Sequence, residues 1–166
     1  MNRIFAAATV VLLAATAGAA AQTPTRLNQF DKWGSYSYTA SGAKVCYILS
    51  TPITMEPPSV DHGDIFFLIS QKPGQNVTYE PQAVMGYPMK DGSKVTVDVD
   101  GKKYTLFTRG ESAWMENAAE EPAFIKALQA GKSLKVDAFS KRGTATHYTY
   151  SLAGVSAALQ SIKSCK

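Results

Sequence analysis

Histidine and cysteine are scarce in this chain: its 166 residues hold two of each. A thiol nucleophile needs a base within reach, and only His62 and His147 are there to serve. No Gly-x-Ser-x-Gly elbow occurs, so a serine hydrolase of that kind has no motif to stand on. Long apolar runs are missing beyond the amino-terminal segment. The longest, Ile65–Ile69, has the length of a buried strand, whereas a membrane-crossing helix takes roughly 20 apolar residues. Repeats, low-complexity tracts and linkers are also absent, so nothing divides the remainder of the chain.

What is present begins with an export signal. Arg3 and the amino terminus form a short positive region, Ile4–Ala17 is apolar apart from Thr9 and Thr16, and Ala19-Ala20-Ala21 offers the small residues a signal peptidase reads. The expectation is a cleaved signal peptide over residues 1–21 and a single mature domain over 22–166, long enough for a hydrophobic core and without a transmembrane segment. No cysteine follows the cleavage point to take a lipid anchor. The expected location is the periplasm, the cell surface or the medium. An even cysteine count behind an export signal reads as one disulfide, Cys46–Cys165. Closing so long a loop stabilises a fold by about 2–4 kcal/mol.

The mature chain reads as strand and turn. Lys94–Asp98 and Lys102–Thr108 flank Asp100-Gly101, a dipeptide suited to a two-residue type I′ hairpin. That register sets Val97 opposite Tyr104 and Val95 opposite Leu106 on one face, with Asp98 against Lys103 on the other. Further strands are expected at Ser35–Thr39, Lys44–Leu49, Asp64–Ser70, Val77–Glu80, Ser112–Met115, Leu134–Phe139 and Thr144–Tyr150. Gly42, Pro57-Pro58, Pro73-Gly74, Asp91-Gly92 and Arg142-Gly143 punctuate them. Many short strands with turns between them point to a sandwich or barrel. Two short helices interrupt the pattern. One runs from Pro122, at home in a first turn, to the stop at Gly131. The other runs from Val155 to Ser164 with Leu152, Val155, Ala158, Leu159 and Ile162 on one face and Cys165 at its edge. A bridge to Cys46 would fasten this terminal helix to a central strand.

Several segments, in order, resemble the invasion-associated locus B proteins of alphaproteobacterial envelopes. They are Phe30-Asp31-Lys32-Trp33, Lys44-Val45-Cys46-Tyr47, Gly86-Tyr87-Pro88 and the run Ala113-Trp114-Met115-Glu116-Asn117-Ala118-Ala119-Glu120-Glu121. Arg142-Gly143-Thr144 and Tyr150-Ser151-Leu152-Ala153-Gly154 then precede Cys165. The resemblance implies a mainly β, immunoglobulin-like β-sandwich with two short helices, one at the carboxy terminus. It also implies an envelope protein of the periplasm or surface with no recognised catalytic residues, in a family named for host-cell invasion. Many members carry a further cysteine where this chain has Ser35, Tyr36 and Ser37, which leaves Cys46 to pair with Cys165.

Candidate sites are few, and no catalytic, cofactor or metal set is assigned. Asp61-His62-Gly63-Asp64 gathers potential metal ligands in one loop, the basis for an alternative metal-dependent or hydrolase-like periplasmic enzyme; a polar turn entering a strand is the plainer reading. His147 alternates with Tyr148 and Tyr150 and belongs on a wetter strand face, and Asn76-Val77-Thr78 matches a glycosylation acceptor that means little in a bacterial export context. Trp33 and Trp114 read as core or core-edge aromatics rather than ligand platforms. Tyr36 and Tyr38 share a strand face. Charge supplies one asymmetry: from Lys126 onward stand Lys126, Lys132, Lys135, Lys141, Arg142, Lys163 and Lys166, with Asp137 the one acid. A basic surface that includes the turn residues Lys141 and Arg142 would meet an acidic protein or an anionic envelope component such as lipid headgroups or lipopolysaccharide. Nucleic acid is not an expected partner of an exported chain. If the export reading holds, intact-mass analysis of protein from the envelope fraction will find a chain beginning at Gln22; retention of residues 1–21 would remove that reading.

Overall fold

Alternation of apolar and polar side chains organises the computed structural model, which describes residues 23–75 and 77–165. The expected signal peptide and Asn76 lie outside the described residues. The strands are β1 (Thr25–Phe30), β2 (Trp33–Ala40), β3 (Ala43–Ser50), β4 (Thr54–Glu56), β5 (Phe66–Lys72), β6 (Val77–Val84), β7 (Lys94–Val99), β8 (Lys102–Arg109), β9 (Ser112–Met115), β10 (Ser133–Phe139) and β11 (Ala145–Ser151). Two α-helices, α1 (Glu121–Ala130) and α2 (Val155–Ile162), complete the described fold. This is the expected mainly β class with two short helices, one of them carboxy-terminal.

All the strands join one antiparallel sheet in the order β1-β2-β3-β5-β6-β9-β8-β7-β10-β11-β4. Along each central strand alternate residues turn inward: Val95, Val97 and Val99 on β7, Leu134, Val136 and Ala138 on β10, and Thr146, Tyr148 and Tyr150 on β11 are buried. The sheet is folded over on itself. β5 and β11 stand six places apart in the order, which in a flat sheet is about 29 Å, yet the rings of Phe67 and Tyr150 are 6.0 Å apart. Trp33 on β2, fully buried, donates its indole N–H to Ser151 O on β11 at 3.0 Å. The two halves of the sheet therefore face each other across one core.

The hairpin of β7 and β8 has the expected register, Val95 to Leu106, Val97 to Tyr104, Asp98 to Lys103 and Val99 to Lys102. Asp100 and Gly101 both adopt positive φ, 47° and 94°, as a type I′ turn requires. The aspartate does more than turn the chain: its carboxylate accepts hydrogen bonds from the amides of Lys132 (2.7 Å) and Ser133 (3.2 Å), tying the hairpin to the start of β10. β1 and β4 are additions to the expected set, and β5 and β6 extend past their expected ends to Lys72 and Val84.

Each helix lays an apolar stripe on the sheet. α1 buries Phe124, Ile125 and Leu128, and α2 buries Val155, Ala158, Leu159 and Ile162. Pro122 occupies the first turn of α1 and Gly131 its C-cap, as expected. Neither helix is long and apolar enough to cross a membrane. Cys46 on β3 and Cys165 just past α2 form the disulfide, across 119 positions of sequence. Replacing both cysteines with serine is expected to lower unfolding free energy by about 2–4 kcal/mol, measured by urea denaturation of the double variant against the oxidised protein; an unchanged midpoint would show that α2 holds without its covalent tie.

Candidate functional site

The β10–β11 hairpin ends in a five-residue turn, and its geometry is fixed from several sides. Ser140 N–H donates to Thr144 O at 2.9 Å, Gly143 N–H to Ser140 O at 2.8 Å, and Thr144 N–H to Ser140 Oγ at 3.1 Å. Gly143 takes the left-handed φ of 87° that the turn needs. The segment after β6 holds the turn from beside: Lys141 N–H donates to Pro88 O at 2.9 Å and Lys90 N–H to Phe139 O at 3.0 Å. With its backbone held, the turn presents Lys141 and Arg142 to solvent.

Between this turn, the loop around Val60 and Asp61 and the Tyr87-Pro88 segment lies a cleft of about 340 Å³. Val60, Tyr87 and Pro88 give it apolar wall, Thr146 lies in its floor, and Lys141, Arg142 and Asp61 stand around it. That size lies at the lower end of small-ligand pockets. Among the described residues neither Lys141 nor Arg142 has an ion-pair partner. Asp61 is committed to its own loop, accepting from Gly63 N–H at 2.9 Å.

Beneath the cleft runs a chain of side-chain hydrogen bonds. His62 Nε2 lies 3.0 Å from Pro57 O, a carbonyl that can only accept, so Nε2 donates there. His62 Nδ1 meets Tyr148 Oη at 2.9 Å. With Nε2–H spent on Pro57 O, Nδ1 accepts the Tyr148 hydroxyl proton; Tyr148 Oη lies 3.0 Å from Tyr87 Oη, Tyr87 Oη lies 2.5 Å from Thr146 Oγ1, and Thr146 donates to Ala138 O at 3.2 Å. Burial first, and then the bond to Tyr87, push the Tyr148 phenol far above its ordinary range, so it stays a neutral donor. The network locks the cleft floor, since every polar group in it has a partner.

The side chains of the Asp61–Asp64 loop do not converge. His62 turns inward and has both ring nitrogens engaged, whereas Asp61 and Asp64 stay on the exposed side. Among the described residues no three His, Cys, Asp or Glu side chains stand together as metal ligands. His147 is on the wet face of β11, 2.7 Å from Asp137 Oδ1 across the strand pair. Tyr36 stacks on Tyr47 at 5.2 Å and Tyr38 meets the same ring edge-on, so these tyrosines do share a face. The basic residues of the final third are spread over several elements: Lys126 on α1, Lys135 on the outer face of β10 and Lys163 after α2. Lys141 and Arg142 are the pair that the fold sets at a cleft. Sequence reading found both the Asp61 loop and the basic turn but not that they are neighbours, and it missed the tyrosine–threonine chain, whose members lie 59 and 61 positions apart.

Residues 33–163 match the family described as invasion associated locus B (IalB) protein. The chain belongs to this family. The fold is similar to that in the crystal structure of invasion associated protein b from Bartonella henselae, at a TM-score of 0.58 and 15% identity, over 85% of this chain and 95% of that one. The comparison with curated proteins gives no match. Two of the segments that carry the family resemblance acquire a physical reason here. Gly86, in Gly86-Tyr87-Pro88, lies so close to the backbone of the Asp61 loop that a Cβ would overlap His62 O and Asp64 N. Gly154, at φ 90°, meets Phe30 O in the same way, letting the start of α2 touch the end of β1. Gly86→Ala should therefore push the Asp61 loop from the cleft and cost about 1–3 kcal/mol of stability, read from the urea midpoint and from shifted Tyr87 and Val60 resonances; wild-type values for both would mean the approach is slack.

Proposed function

We propose that this invasion associated locus B family member is an exported, non-enzymatic interaction module of the cell envelope, and that the cleft at the β10–β11 turn takes an anionic group of its partner. The observation that carries the reading is the position of Lys141 and Arg142, both without ion-pair partners among the described residues, beside an apolar-walled cleft of about 340 Å³. Export is supported by the leader-like amino terminus and by the disulfide, a bond that persists in oxidising compartments. The partner is an anionic envelope component or an acidic protein. The host-cell role suggested by the name of the Bartonella protein would work through the same surface.

Two cations on a turn bind mainly through charge, so salt governs the outcome. Exposed charges are screened over about 8 Å at physiological ionic strength, and each basic side chain near an anionic surface contributes about 1 kcal/mol. The mature protein should bind phosphatidylcholine vesicles containing phosphatidylglycerol, or lipopolysaccharide, at low salt and release them at high salt. Lys141→Ser together with Arg142→Ser should weaken binding by at least about tenfold with an unchanged melting temperature. If the wild type ignores both surfaces at low salt, the lipid form of the reading fails and an acidic protein partner is what remains of it.

A further inference from the structure

A second surface has the opposite chemistry. Trp114 on β9 and Phe107 on β8 are register partners whose side chains leave the sheet on its outer face. Their rings stack at 5.8 Å with an interplanar angle of 28°. Phe107 stays 40% exposed even with Trp114 stacked on it, in the middle of a strand with neighbours on both sides. The pair lines a groove of about 380 Å³ completed by Glu80, Arg109, Met115 and Glu121.

The charges in and beside the groove are unevenly matched. Lys72 holds Glu80 at 2.8 Å, and Lys94, opposite Phe107, is held by Glu116. Among the described residues neither Glu121 nor Arg109 has an ion-pair partner, so the two stand in the groove with their charges apart, the Glu121 carboxylate on the side of Glu80. Burial, then repulsion from Glu80, hold the Glu121 carboxyl above the ordinary carboxylate range. An arriving cation would offset the repulsion from Glu80 and give the carboxylate a charge partner. Aromatic faces attract ammonium and guanidinium groups within about 6 Å of the ring centroid, and an apolar stem would cover the ring that Phe107 now shows to water.

We propose that this groove binds a basic side chain of a partner protein, its stem lying on the Phe107–Trp114 rings and its cationic head meeting Glu121. The site is independent of the cleft at the β10–β11 turn, and its cation-binding end is Glu121, away from Arg109. The whole chain carries a formal net charge of +4, so general electrostatics would repel such a ligand and any binding must be local.

The test uses the mature protein, isotope-labelled for NMR, titrated with acetylated, amidated tetralysine and with tetraglutamate as the control. Tetralysine should shift the Trp114 indole N–H and the amides around Phe107 and Glu121, saturably, while tetraglutamate leaves them in place. Glu121→Gln and Phe107→Leu should each weaken tetralysine binding about two- to fivefold, with amide spectra elsewhere unchanged. Glu120→Gln, one residue away and exposed, should bind as the wild type does. Shifts centred on Asp61 and Asp64, absence of saturable shifts at Trp114, equal loss in Glu120→Gln, or unchanged affinity in Glu121→Gln would each overturn the proposal.

Discussion

Closure of the sheet depends on aromatic rings meeting at its centre. Phe67 on β5 lies 6.0 Å from Phe124 on α1 and 6.0 Å from Tyr150 on β11, while Phe124 lies 4.9 Å from Tyr104 on β8. Each large side chain fully buried in this way stabilises the fold by about 1.5–3 kcal/mol, and edge-on ring pairs add about 0.5–1.5 kcal/mol beyond their area. An open sheet of this many strands would leave the inward rows of β5, β7, β10 and β11 in water. The folded-over sheet removes all of them at once, and α1 and α2 seal what the strands leave open.

The cleft is a consequence of that closure. Folding the sheet brings the loop between β4 and β5 and the segment after β6 against the turn of β10 and β11, three places far apart in sequence. The approach is close enough that Gly86 has room for no side chain. Under the contact, the hydrogen bonds from His62 through Tyr148 and Tyr87 to Thr146 give buried polar groups their partners. A basic rim thus stands over a rigid floor, whereas the aromatic groove on the outer sheet face offers an unpaired carboxylate. The two proposed surfaces differ in the charge they leave unpaired and lie on separate parts of the fold.

The elements with strong local signals were legible in the chain itself. Asp100-Gly101 specified its hairpin and register because positive φ at two successive positions admits few residues, and the alternating valines then left a single choice of face. Pro122 and Gly131 bounded α1 for similarly local reasons. β1 was not legible: Thr-Arg-Leu-Asn-Gln-Phe is polar and exposed along most of its length, and only its pairing with β2 makes it a strand. β4 is three exposed residues between prolines, held by its ladder to β11. Trp114 reads as a core or core-edge aromatic; the parity of β9 leaves it half-buried on the outer face against Phe107, while Ala113 and Met115 go in.

The sequence by itself determined the class of the fold, the likeness to the invasion associated locus B family and the pairing of Cys46 with Cys165, because period-two patterning, turn chemistry and an even cysteine count are local or combinatorial facts. It also put Lys141 and Arg142 on an exposed turn. Tertiary structure alone decided that the Asp61 loop would stand beside that turn, that His62 would face inward to Tyr148, and that Glu121 would stand unpaired by the Trp114 and Phe107 rings. The physical reason is that site geometry follows from how a sheet folds over its core. That choice is made by the summed burial of side chains from strands distant in sequence, and no short window of residues contains it.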